Sequence, residues 1–217
     1  REVLRRTKYF SEDYLNKEFD IFWGLASDLY LDQFYSQFTK ISGGGRWFSH
    51  GNSGLFTYST NITSMAMDNL SYNPDEKLLV ANELKLGGRK NKDQILKYAL
   101  MFRRLKEGGF VANDCRFLLL FIADTEEKSC WEALIEEEID HCSSSMKSTA
   151  VAASDPVCVE IARAAEYAST TWRDLMAFNE GWIASLDSKR QQVEAKLLRG
   201  FNEALCTKYF MQTDNLP

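Results

Sequence analysis

The chain has 217 residues, 45 % hydrophobic and 13 % aromatic, which excludes a disordered polymer and suffices for one ample domain with a real core. Its net charge of −5 at pH 7, taken as a mean, argues against a nucleic-acid partner. The longest apolar run, 117–123, is far short of the roughly 20 residues a membrane span needs, so no membrane association is expected. The opening Arg1-Glu2-Val3-Leu4 leads into no apolar h-region, so no signal peptide is expected, and without an initiator Met the chain reads as trimmed.

Residues 11–38 carry Leu15, Phe19, Phe22, Ala26 and Leu29 at helical spacing, with Ser11 as the predicted N-cap. Gly43, Gly44, Gly45, Gly51 and Gly54 then break the chain into loop. Phe56, Tyr58, Ile62, Met65 and Met67, set among Thr and Ser, predict a strand that carries Asp68 and ends at the turn Asn73-Pro74-Asp75-Glu76. Residues 77–86 predict the second strand of a hairpin, closed by Gly87-Gly88. Residues 91–106 predict a helix with Ile95, Leu96, Tyr98, Ala99, Phe102 and Leu105 on one stripe. Next, 117–123 predicts a strand buried on both faces, and 126–141 an acidic amphipathic helix. A small, polar linker is expected at 143–154, followed by mainly helical stretches at 157–167, 171–178 and 182–209. The expected fold class is α/β with a mixed sheet, divided into a core at 1–142 and a helical extension at 143–217.

Five cysteines with no CxxC pair make a disulfide framework or zinc site unexpected and point to a reducing, intracellular setting. His50 and His141 are the only imidazoles, too few for a His-based metal site and a poor basis for a His-dependent triad. Hydrolytic chemistry would therefore fall to carboxylates and a lysine.

Acidic-x-Lys occurs five times, so the three-residue pattern alone says little. Only Glu83-Leu84-Lys85 follows an apolar approach (Leu78, Leu79, Val80, Ala81), precedes a glycine turn and has an acid, Asp68, on the preceding strand. Glu83 and Lys85 project from one strand face, and a hairpin brings Asp68 to the same edge. Two converging carboxylates make a hard oxygen site suited to Mg²⁺, and a neighbouring lysine can position an attacking water. The bland alternative is an ion pair on an edge strand.

Asp68, then Glu83-Leu84-Lys85-Leu86-Gly87, then Gln94 and Tyr98 on the next helix resemble the PD-(D/E)XK nuclease superfamily. That resemblance implies a restriction-endonuclease-like fold, with an α-β-β-β-α-β core over about 11–124. It implies that Asp68 and Glu83 hold Mg²⁺, with Mn²⁺ able to substitute and the Leu84 carbonyl assisting. Lys85 would be the catalytic lysine, and Gln94 would match the glutamine-bearing helix motif of exonuclease-like members and steady the site. Many members carry a further acid on the first helix, for which Glu12 is preferred over Glu18. Met67 stands in the Pro slot of the signature, and Asn82 at a position usually apolar. Thr171-Trp172-Arg173-Asp174-Leu175 is similar to a Thr-Trp-x-Asp-Leu stretch of some relatives.

Charge is distributed unevenly: 85–106 carries +7, 126–140 carries −6, and the remainder −6. Net acidity therefore does not exclude a nucleic acid, and Arg89, Lys90 and Lys92 are the candidate phosphate contacts. The expected activity is Mg²⁺-dependent hydrolysis of phosphodiester bonds in DNA, with RNA undistinguished, in the cytoplasm, at the nucleoid, or in a nucleus if eukaryotic. The competing expectation is an inert nuclease-fold module that binds DNA or protein in a larger assembly. Residues 43–48 read as a connection that can cradle a phosphate or stack a base on Trp47. Leu186, Val193, Leu197 and Phe201, near heptad spacing, read first as core packing and second as a seam through which the C-terminal helices join a homodimer or larger complex.

Overall fold

Parallel strands covered by helices on both faces have no solvent side, so they read as unbroken apolar runs. One such run, and a second that is apolar up to Ala81, form the centre of the sheet in the computed structural model. The structure describes residues 2–41, 44–51, 57–59, 64–86, 92–127, 130–144, 153–186 and 191–206, with the side chains of 2–13, 57–59 and 64–66 left aside. The central strands are β5 (Leu78–Leu84) and β6 (Arg116–Ala123), paired in parallel. On one side β5 pairs antiparallel with β4 (Asn69–Asn73), and β4 with β1 (Phe48–Gly51). On the other, β6 pairs in parallel with β7 (Glu166–Thr171), giving the order β1-β4-β5-β6-β7. A separate two-stranded ribbon joins β2 (Thr57–Ser59) and β3 (Ser64–Ala66).

Seven helices, among the described residues, cover the sheet in two layers. Leu78, Val80, Leu84, Leu118, Leu120 and Ile122 enter a core with α1 (Glu2–Leu25), α2 (Asp28–Phe38), α6 (Trp172–Ser185) and α7 (Gln192–Ala204). The alternate positions Leu79, Ala81, Phe117, Leu119 and Phe121 enter the opposite core, with α3 (Gln94–Glu107), α4 (Trp131–Ser144) and α5 (Pro156–Ala164). The fold class is thus α/β with a five-stranded mixed sheet. Among the described residues no helix is long and apolar enough to cross a membrane.

Several elements differ from the sequence expectation. The first helix breaks at Ser27, whose extended backbone and side chain, accepting the Tyr30 N–H at 3.2 Å, start α2. The break resets the helical phase, leaving Leu29 exposed while Tyr30 and Leu31 are buried. Ser11 lies inside α1 rather than capping it. The hairpin partner of β5 is β4, so Asp68 stands just before a strand rather than on one, and the 57–66 segment forms its own ribbon. The acidic helix begins at Trp131, leaving Glu126 and Glu127 in the loop after β6.

The stretch 143–217 is not wholly helical, because Glu166–Thr171 completes the sheet as β7. Its Glu-Tyr-Ala-Ser-Thr-Thr sequence has no apolar alternation, and backbone pairing to β6 holds it. Asn82, at a position expected to be apolar, is fully buried. Its amide donates to Asn69 Oδ1 at 2.9 Å and Tyr35 Oη at 3.0 Å, and Tyr35 Oη donates on to Ser71 Oγ at 2.8 Å. Burial pushes the Tyr35 phenol up to about 12.

Candidate functional site

Register places the site. Asn69 is the last β4 residue paired with β5, opposite Asn82, so Asp68 falls one step further on, across from Glu83. This is the carboxyl end of the parallel strands β5 and β6, the end at which open α/β sheets place ligands. Asp68 Oδ2 accepts the Leu84 N–H at 3.0 Å, which ties the two strand ends together. Glu83 continues the face of Leu79 and Ala81, toward α3, and is 2 % exposed.

Each oxygen of this carboxylate has a partner. The Lys85 ammonium lies 2.7 Å from Glu83 Oε1, and the Tyr98 hydroxyl donates to Oε2. Tyr98 also accepts the Asp68 N–H at 3.5 Å, so this α3 side chain touches both acids. Its phenol is raised well above the usual tyrosine range, by burial first and then by the charges of Glu83 and Asp68. Lys85 is itself held by its backbone. Its N–H donates to the Ile122 carbonyl at 2.9 Å, and its carbonyl accepts the Trp172 indole N–H at 2.8 Å.

Trp172 opens α6 beside a capping box of Thr171 and Asp174, which accounts structurally for the Thr-Trp-x-Asp-Leu pattern. Gln94, the first residue of α3, is 8 % exposed and shares a helix face with Tyr98 one turn on. The structure thus brings Asp68, Glu83 and Lys85 together, with Leu84 meeting Asp68 through its N–H. Position 12 lies within α1, but the side chain of Glu12, like Arg89 and Lys90, is outside the described residues. Lys92 is exposed in the turn leading into α3. Glu18 lines a groove of about 360 Å³ with Ile21, Lys196 and Phe201, between α1 and α7.

Two residues that contact this site or its supports are absent from the sequence expectation. Asn16 on α1 donates Nδ2 to Asp68 Oδ1 at 3.3 Å. The signal for it is a weak one, the polar series Glu12, Asn16 and Asp20 at i, i+4 spacing in a helix that carries many other polar residues. Glu138, 1 % exposed on the acidic helix α4, accepts the Ile95 and Leu96 N–H groups at 3.1 and 3.0 Å. It caps α3 from another element, a pairing 42 residues away that no local pattern carries.

Several of the eight cations of residues 85–106 have acidic partners on or beside their own helix: Lys97 pairs with Asp93 at 2.9 Å, and Arg103 and Arg104 share Glu107 at 2.8 and 2.9 Å. Lys106 lies over the Phe102 ring. The 43–48 loop is no phosphate cradle in its described part, because carboxylates surround its N–H groups. Arg46 N–H meets Asp75 at 3.1 Å, and Trp47 gives its backbone N–H to Asp28 at 2.8 Å and its indole to Asp32 at 2.5 Å. Trp47 is buried against Tyr35, which removes it as a base-stacking platform.

The donor chemistry fits a hard divalent cation. Asp68 and Glu83 offer carboxylate oxygens with remaining lone pairs, and Asn16 Oδ1 and Gln94 Oε1 are buried acceptors with no hydrogen-bond partner among the described residues. Among the described residues no three His, Cys, Asp or Glu side chains cluster to hold a metal, so the fit rests on two carboxylates and neutral oxygens. No family model, curated protein or solved structure matches the chain.

Proposed function

We propose that the chain is a Mg²⁺-dependent nuclease that hydrolyses phosphodiester bonds in DNA, with a restriction-endonuclease-like core. One observation carries this reading: Asp68, from the residue before β4, meets the Glu83–Lys85 pair at the end of β5 through the Asp68–Leu84 and Glu83–Lys85 contacts. With α2 and the separate β2–β3 ribbon set aside, the order α1, β1, β4, β5, α3, β6 follows the α-β-β-β-α-β sequence of elements, which supports the core assignment.

Asp68 and Glu83 would hold the cation, which when bound offsets phosphate charge and favours ionisation of the attacking water. Tyr98 keeps Glu83 Oε2 in place, and Glu83 Oε1 fixes the Lys85 ammonium, which orients the water and faces the developing negative charge. The Trp172 indole bond and the Ile122 bond hold the Lys85 backbone, so the ammonium works from a rigid strand end. Gln94 steadies the site from α3, and Lys92, with Arg89 and Lys90, would neutralise backbone phosphates.

The inert-module reading draws on one specific observation: both oxygens of Glu83 already have partners in Lys85 and Tyr98. Incubation with single- and double-stranded DNA and Mg²⁺ or Mn²⁺ separates the two. Cleavage abolished by EDTA and reduced about 100-fold or more in Asp68→Asn and Lys85→Ala, each verified as folded by circular dichroism, is the expected result. Wild type and variants that degrade DNA equally little or equally much overturn the assignment, and cleavage confined to RNA overturns the substrate.

A further inference from the structure

We propose that Asn16 of α1 belongs to the cation site, with Nδ2 fixing Asp68 and Oδ1 serving as a neutral protein oxygen in the donor set. This inference rests on the metal-dependent reading above. Two carboxylates are a thin protein share for a cation that takes six oxygens, and the helix that passes Asp68 is one element that can add to it.

The other described acids of α1 are directed elsewhere. Asp20 Oδ1 accepts the Asn69 amide at 2.9 Å. Glu18, two positions from Asn16 and so about 200° around the helix, lies in the groove with Lys196. Among the described residues, Asn16 reaches Asp68 from α1, at 3.3 Å.

Hydrogen bonding sets the orientation of the amide, because turning its oxygen toward Asp68 would set two acceptors against each other. With Nδ2 inward, Oδ1 is left buried and without a hydrogen-bond partner among the described residues. A polar atom in that condition needs an explanation, and a cation held by the adjacent carboxylate supplies one. Asn16 also constrains the Asp68 rotamer, a role of the kind that supports metal ligands elsewhere. A neutral amide leaves the formal charge of Asp68, Glu83 and Lys85 at −1, whereas a third carboxylate would deepen the repulsion within the empty protein.

Titration calorimetry with MnCl₂ alone, on wild type, Asn16→Ala, Asn16→Asp and Asp68→Asn, tests this without reference to cleavage. Wild type should bind Mn²⁺, Asp68→Asn should lose it, and Asn16→Ala should weaken it about 10-fold or more. Asn16→Asp, equal in size but charged, should bind Mn²⁺ more tightly than wild type while melting at a lower temperature without metal. A merely structural role for Asn16 would move the melting temperatures and leave Mn²⁺ affinity alone. Asn16→Ala and Asn16→Asp both within about twofold of wild type, with Asp68→Asn still abolishing binding, overturn the role of Asn16 and leave the cation site standing. A wild-type protein that binds no Mn²⁺ overturns both.

Discussion

Replacing Lys85 with Met removes one half of a buried ion pair and keeps most of the side-chain volume. The two charges lie 2.7 Å apart, with the Glu83 side chain 2 % and the Lys85 side chain 16 % exposed. At an effective dielectric of about 20 their attraction is about 6 kcal/mol, part of which offsets the cost of taking both ions out of water. Losing only the cation leaves a buried carboxylate uncompensated, for which about 3–5 kcal/mol is expected. The Tyr98 hydroxyl still donates to Oε2, which places this case near the lower figure.

Urea unfolding followed by tryptophan fluorescence measures the loss as a fall in midpoint of about 1.5 M, at a slope of about 2 kcal/mol per M. The double variant Glu83→Gln/Lys85→Met removes the orphaned charge and should recover at least about 1 kcal/mol relative to Lys85→Met alone. Lys85→Met within about 0.5 kcal/mol of wild type, or a double variant no more stable than the single, refutes the reasoning.

Glu138→Ala leaves two buried N–H groups of α3 without their acceptor and should cost about 2–4 kcal/mol, with fast hydrogen exchange at Ile95 and Leu96. Glu138→Gln keeps one acceptor oxygen and should lose about half as much; equal exchange in all three proteins would dismiss the cap. For Tyr35, the unfolded phenol loses its proton near pH 10 and the folded one near 12, so between these values the native state binds more protons. Stability should therefore fall through that window by about 1.4 kcal/mol per pH unit from this group. Tyr35→Phe should lessen the alkaline slope without abolishing it, because Tyr30 and Tyr98 are raised as well, and an unchanged slope in pH-dependent melts counts against the assignment.

Local patterns carried much of the architecture. The apolar runs of β5 and β6, the α3 stripe between its flanking glycines, and the turn 74–77 are each encoded within a few adjacent residues, since periodicity and turn chemistry are short-range effects. The same locality explains the failures. The Ser27 break needs one cap in an otherwise continuous helical pattern, and β7 is held by pairing with β6 rather than by its own composition. Charge along the chain does not report its own partners, because Arg103 and Arg104 of the basic α3 stretch pair with Glu107 on their own helix and Arg103 also with Asp155.

Of the candidate site, the sequence by itself determined that a carboxylate–lysine strand end follows an apolar approach, with one acid at hairpin distance. The tertiary structure decided everything that depends on which elements meet. Strand register set Asp68 opposite Glu83, α3 brought Tyr98 between them, α1 delivered Asn16, and α4 supplied Glu138 to hold α3. These are contacts between groups 15 to 52 residues apart. Their geometry is set by the packing of two helix layers on the sheet, so no periodicity along the chain reports them.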